Sequence, residues 1–199
     1  MGHWLCLVAP IRHFADKVSR ARTHNRIGNI VKSNGGETAM DNAANKMIAR
    51  RYFSEMVDKR SDKLLEELWT EDCVVHRPEV SVTIKGREAF RHAFNRVVGP
   101  YSEFGTVIHD LIAENDLVVC RLSHRVVHRG GDWTSRLGRH AVQEGKVVTW
   151  SSLTIFRIRD GKIAEEWVCR DELGMLMQLG VVAPTKRLPS AFLWRTSAN

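Results

Sequence analysis

The sequence predicts an α+β fold in which a curved antiparallel sheet wraps around N-terminal helices. Three observations carry this. Apolar residues at helical spacing are concentrated between residues 43 and 98. From residue 104 onward, apolar and polar residues alternate over long runs, the period of a half-buried strand. Those runs are punctuated by Asn115-Asp116 and Asp160-Gly161, and Asp-Gly is a strong hairpin signal.

The elements follow in order. "NAANKMIARRYFSEMVDKR" is the first helix, with Met47, Ile48, Tyr52, Met56 and Val57 in helical register. Ser61 or Asp62 starts a second, short helix, "DKLLEELW", with Leu64, Leu65 and Leu68 on one side. "CVVHRP" is a strand stopped by Pro78. Gly86 leads into "REAFRHAFNRVV", a helix with Phe90, Phe94 and Val97 aligned. "FGTVIHDLIA" and "LVVCRLSHRVVHR" are strands joined at Asn115-Asp116, the second broken by Gly130-Gly131. "KVVTWSSLTIFRIR" turns at Asp160-Gly161 into "KIAEEWVCRD". A short amphipathic helix with Leu173, Leu176 and Leu179 then stops at Gly180.

This organisation gives a domain over residues 43–182, a basic, disordered extension over 1–42 and a loose tail over 183–199. The extension is either transit-like or an upstream addition ahead of a true start at Met40; the second reading is preferred. Apolar content of 43% and charged content of 27% are those of a soluble globular protein. Residues 1–39 hold six basic and two acidic residues, which leaves only +3 of the +7 net charge for the rest. A tail-borne excess is not a basic patch on a folded face, so nucleic acid is not an expected partner. No apolar run spans a bilayer, so no membrane is expected either. Cys6, Cys73, Cys120 and Cys169 form no C-x-x-C pair, and Cys120 and Cys169 lie in apolar strand patterns. That reads as a reducing, cytoplasmic setting with no structural metal.

Strand alternation sorts the faces. Val118, Cys120, Leu122, His124, Val126 and His128 share a buried face. So do Val148, Trp150, Ser152, Thr154, Phe156 and Ile158 in the next strand. In the last strand the expected inner set is Ile163, Glu165, Trp167, Cys169 and Asp171, with Lys162, Glu166 and Arg170 outside. Val74 and His76 share a face in the strand at 73–78. Polar interruptions on apolar inner faces are the usual lining of a small-molecule pocket. His124 and His128 are four residues apart but lie in a strand pattern, so no helical metal-ligand pair is present and no metal site is expected.

"IFRIRDGKIAEEWVCRDELGMLMQLG", with "VVHRP", "GREAF" and "VTWSSLTIFRI", resembles the SnoaL-like polyketide cyclases, a group of the nuclear-transport-factor-2-like superfamily. The resemblance spans roughly residues 44–182. It implies a cone-shaped, highly curved sheet (a nuclear-transport-factor-2-like barrel), a deep apolar pocket and a homodimer. In that family an aspartate at the end of the last strand is the acid/base for an intramolecular aldol closure, a position matched here by Asp171. His128 matches a pocket histidine and His76 another pocket position. The chain departs from the family at "VVHRGGDW".

The expectation is therefore a cofactor-independent cyclase or isomerase for a small apolar carbonyl compound. Asp171, His128 and His76 would be catalytic, and Trp150, Ser152, Thr154, Trp167 and His124 would contact substrate. Asp171 is alternatively a helix cap. No inner-face arginine is evident, which counts against epoxide opening. The competing reading is a non-catalytic ligand-binding or dimerisation module.

Overall fold

A computed structural model of the chain describes residues 35–77, 82–135 and 137–183. The residues before 35, Pro78 and the tail from 184 lie outside the described residues. Helix α1 (Gly35–Arg51) begins earlier than the boundary at residue 43, inside the stretch expected to be a disordered extension. Ala43, Ala44 and Ala49 are strong helix formers that favour one continuous element here. The chain then continues as a π-helical segment, Tyr52–Val57, marked by i→i−5 bonds from Asp58 N–H to Phe53 and from Ser61 N–H to Met56. This widened turn buries Tyr52, Phe53, Met56 and Val57 together, whereas Met47 is exposed. Helix α2 is only Leu65–Leu68, and Trp69 opens strand β1 (Trp69–Arg77) instead of ending the helix.

Strand β2 (Val82–Lys85) runs to Gly86, whose φ of 87° suits a residue without Cβ and starts helix α3 (Arg87–Val98). Phe90, Phe94 and Val98 form its buried stripe at i, i+4, i+8, and Val97 is exposed. The long strands are β3 (Tyr101–Glu114), β4 (Leu117–Ser135), β5 (Gly138–Arg159) and β6 (Lys162–Arg170), followed by helix α4 (Glu172–Gln178).

The sheet is curved and unclosed, in the order β2-β1-β6-β5-β4-β3. The meander β3 to β6 is antiparallel as read from the sequence, but β1 enters beside β6 in parallel, with His76 opposite Trp167. Gly130 and Gly131 do not break β4. They take φ near +85° beside a register shift at Val127/Arg129, and the strand bends and continues to Ser135. At Gly130 a Cβ would crowd the Glu144 backbone of β5. One core cluster packs the helices against the sheet through Trp69, Phe90, Phe156 and Tyr52. A second packs Met175 and Leu176 of α4 on Tyr101, Val126, Val148 and Trp150.

Candidate active site

A cavity of about 650 Å³ lies between the inner face of the sheet and the helical layer. The π-helical segment supplies Tyr52 and Phe53, α3 supplies Phe90 and Phe94, and the sheet supplies Tyr101, Phe104, Trp133 and Trp150. Polar groups converge on this apolar wall from β1, β4, β5 and β6: Arg77, His124, Ser152, Thr154, Glu166 and Arg170. Of the expected residues, His124, Trp150, Ser152 and Thr154 therefore face the cavity.

His124 is 7% exposed and sits in an aromatic cage, 5.1 Å from the Trp150 ring and 5.5 Å from Phe104, centroid to centroid. Its Nδ1 lies 3.0 Å from the Thr106 hydroxyl, which donates to Asp58 Oδ1 at 2.6 Å. Its Nε2 lies 3.2 Å from Ser152 Oγ. Because a carboxylate only accepts, the Thr106 proton goes to Asp58, His124 carries its proton on Nδ1, and Nε2 presents a lone pair. Burial, then the charges of Arg170 and Arg77, push the imidazole pKa down to about 4. Burial raises the Asp58 carboxyl, opposed by its bonds to Thr106.

Glu166 is 1% exposed and accepts from Arg77 Nη2 at 3.3 Å. Arg170 stands directly opposite Ser152 in the β5–β6 register, and its Nε donates to Glu172 at 2.9 Å. Inner-face arginines are thus present, contrary to the sequence expectation. Arg77 escaped notice because it shares the face of Cys73 and Val75, not that of Val74 and His76, and Arg170 because β6 carries a bulge. Ile158 pairs with Ile163 and Arg157 with Glu165, so Ala164 is an extra residue. One inserted residue exchanges the faces of everything beyond it. Ala164, Glu166 and Val168 are buried, while Cys169 is exposed.

The same bulge takes Glu165, Trp167, Cys169 and Asp171 off the expected inner face, while His76 and His128 are displaced from the cavity for other reasons. Asp171 is exposed and is the N-cap of α4, accepting from the Gly174 N–H at 2.8 Å. Trp167 is on the outer side, with Arg157 5.6 Å above its ring. His76 stacks on Trp167 at 5.4 Å and 7°, and its Nε2 is 2.8 Å from Glu165. In β1 it is Cys73 and Val75 that are buried, so the Val74–His76 face is the outer one. His76, Trp167 and Cys169 border a separate outer cleft of about 480 Å³ with Leu153 and Ile155. His128 is buried at 1% exposure but does not line the cavity. Its Nδ1 accepts from Gly130 N–H at 3.0 Å, its buried Nε2 has no hydrogen-bond partner among the described residues, and burial lowers its pKa. Among the described residues, no group of three His, Cys, Asp or Glu side chains is arranged to hold a metal.

The family model of the SnoaL-like polyketide cyclases matches residues 47–179, from α1 to the end of α4. The chain belongs to the SnoaL-like polyketide cyclase family. Solved structures agree on the fold. TsrD from Streptomyces laurentii is 24% identical, covers 70% of this chain and 97% of its own, and superposes with a TM-score of 0.58. IdmH from Streptomyces antibioticus is 23% identical over 68% of this chain and 98% of its own, also at 0.58. An LEH-like epoxide hydrolase of M. tuberculosis is 14% identical over 70% and 91%, at 0.53. No curated protein matches the chain in sequence. Within the SnoaL-like frame the signal that gives away the inner face of β6 is the adjacent apolar pair Ile163-Ala164 just after the hairpin.

Proposed function

We propose that this SnoaL-like protein binds a small, largely apolar carbonyl compound in the cavity and transfers a proton alpha to the carbonyl, with His124 in place of Asp171 as the base. The observation that carries the reading is the placement of His124. Its Nε2 lone pair lies beside Ser152 on the wall of an apolar cavity, and its tautomer is held by Thr106 and Asp58. A base must be within reach of the proton it takes before its pKa matters. Arg77 and Arg170 line the same cavity and lie close enough to act on His124. Positive charge there opposes an imidazolium and favours negative charge developing on an enolate oxygen. Aromatic walls suit the apolar body of the ligand.

The test is α-proton exchange of cyclic ketones and β-keto esters in D2O, followed by NMR. His124→Gln is expected to slow exchange by about 100-fold or more, and Asp171→Asn to leave it at the wild-type rate. Equal loss in both variants would return the base to Asp171; no exchange with any ketone, but a retained ligand in native mass spectrometry, would make the protein a binding module.

The same reading includes a homodimer. Val107, Ile112, Val147 and Leu153 are exposed on the outer side of the sheet, and sedimentation analysis tests whether a second copy covers them.

A further inference from the structure

Asp58, Thr106, His124 and Ser152 form one hydrogen-bonded line that ends at the cavity. They come from four places: the residue after the π-helical segment, β3, β4 and β5. The separations are 2.6 Å, 3.0 Å and 3.2 Å along the line. A nucleophile within reach of a base, with that base oriented by a third group, is the arrangement that activates a hydroxyl. The inner-face position of Ser152 also matters. It is 5% exposed, lines the cavity and faces Arg170 across the strand pair.

We propose that Ser152 is an acyl-accepting nucleophile and that the protein hydrolyses or transfers the acyl group of apolar esters, with His124 as base and Thr106 and Asp58 as positioning residues. This goes beyond α-proton transfer, because it needs a leaving group and no α-hydrogen. Ser152 Oγ attacks the ester carbonyl carbon while its proton passes to His124 Nε2, and the carbonyl π electrons move onto oxygen. Arg170 supplies positive charge toward that oxyanion. Collapse restores the C=O bond, breaks the bond to the alkoxy oxygen, and returns the Nε2 proton to the departing alcohol. Water then attacks acyl-Ser152 by the same route. It releases the carboxylic acid and restores the Ser152 hydroxyl, with no change of oxidation state.

The experiment uses the full chain and p-nitrophenyl benzoate, which has no α-hydrogen. Its outcome is therefore independent of the ketone exchange assay, where the substrate has no leaving group. The wild type is expected to release p-nitrophenolate and, on acid quench, to carry one benzoyl group on the peptide containing Ser152. Ser152→Ala is expected to lose the adduct and at least about 100-fold in rate. Ser152→Cys keeps nearly the same volume and is expected to carry the benzoyl group as a thioester at position 152, which separates loss of the nucleophile from loss of the fold. Thr106→Val and Asp58→Asn are expected to lower the acylation rate and displace its pH profile, a readout that a packing role alone would leave in place. A benzoyl group on any other residue, wild-type turnover by Ser152→Ala, or release no faster than in buffer would overturn the proposal.

Discussion

Ile163 and Ala164 are neighbours in sequence, yet both are buried against the same interior. That relationship sets the chemistry of the last strand, because the parity change between them turns Glu166 and Arg170 toward the cavity and Trp167 and Cys169 away from it. Thiol reactivity reads it directly. In a Cys6→Ser background, a disulfide reagent is expected to titrate a single thiol in the folded protein, that of Cys169. Cys73 and Cys120 are buried, and burial pushes their thiols up to about 11 and about 12, so they hold almost no thiolate at neutral pH. They are expected to react only after unfolding. Simultaneous titration of all three would reject the face assignment of β6.

Asp171 and Gly174 are a matched pair. The Asp171 carboxylate wraps onto the Gly174 N–H, and a Cβ at Gly174 would stand well inside van der Waals contact with that carboxylate. Asp171→Ala is expected to cost about 1 kcal/mol, or about 2–4 °C in melting temperature for a chain of this size. Gly174→Ala is expected to destabilise in the wild type, despite the better helix propensity of alanine, and to be neutral or stabilising once Asp171 is alanine. Urea melts of the two single variants and the double variant check the sign reversal.

Acid is expected to weaken the fold through His124. The unfolded imidazole takes its proton near 6.5, and the folded one only near 4. Between those values the unfolded chain binds more protons, so stability is fully present above about 6.5 and falls as pH drops toward 4. The lowering corresponds to roughly 3 kcal/mol. His128, also lowered by burial, adds in the same direction, while the raised Asp58 carboxyl partly offsets it at the acid end. Urea midpoints between pH 7.5 and 4.5 should show this decline, and His124→Gln should flatten it. An unchanged slope in that variant would assign the acid sensitivity elsewhere.

The Arg77–Glu166 pair is expected to behave as a buried ion pair. The Glu166 side chain is 2% exposed and that of Arg77 is 17% exposed. Arg77→Leu leaves the carboxylate without that partner and is expected to cost about 3–5 kcal/mol. The Arg77→Leu/Glu166→Leu double variant is expected to lose less than Arg77→Leu alone, because no buried carboxylate remains to be compensated. Additive losses in a thermodynamic cycle would mean that the two side chains act independently.

The sequence by itself determined the fold class, the order of helices and strands apart from the short edge strand β2, and the inner faces of β4 and β5. A period-2 pattern reports burial directly wherever the strand is regular. It therefore placed His124, Trp150, Ser152 and Thr154 toward the cavity, and the C-terminal signature placed the chain among the SnoaL-like cyclases. Only the tertiary structure decided the face of β6, since a single extra residue at Ala164 leaves the local pattern of alternation intact but inverts its meaning. The parallel entry of β1 beside β6 and the bend of β4 at Gly130-Gly131 were likewise set by pairing partners far away in sequence. The same holds for the line from Asp58 to Ser152. Its members are separated by 48, 18 and 28 residues, so no local spacing announces it and only the packing of a helical layer onto a curved sheet brings the four groups together.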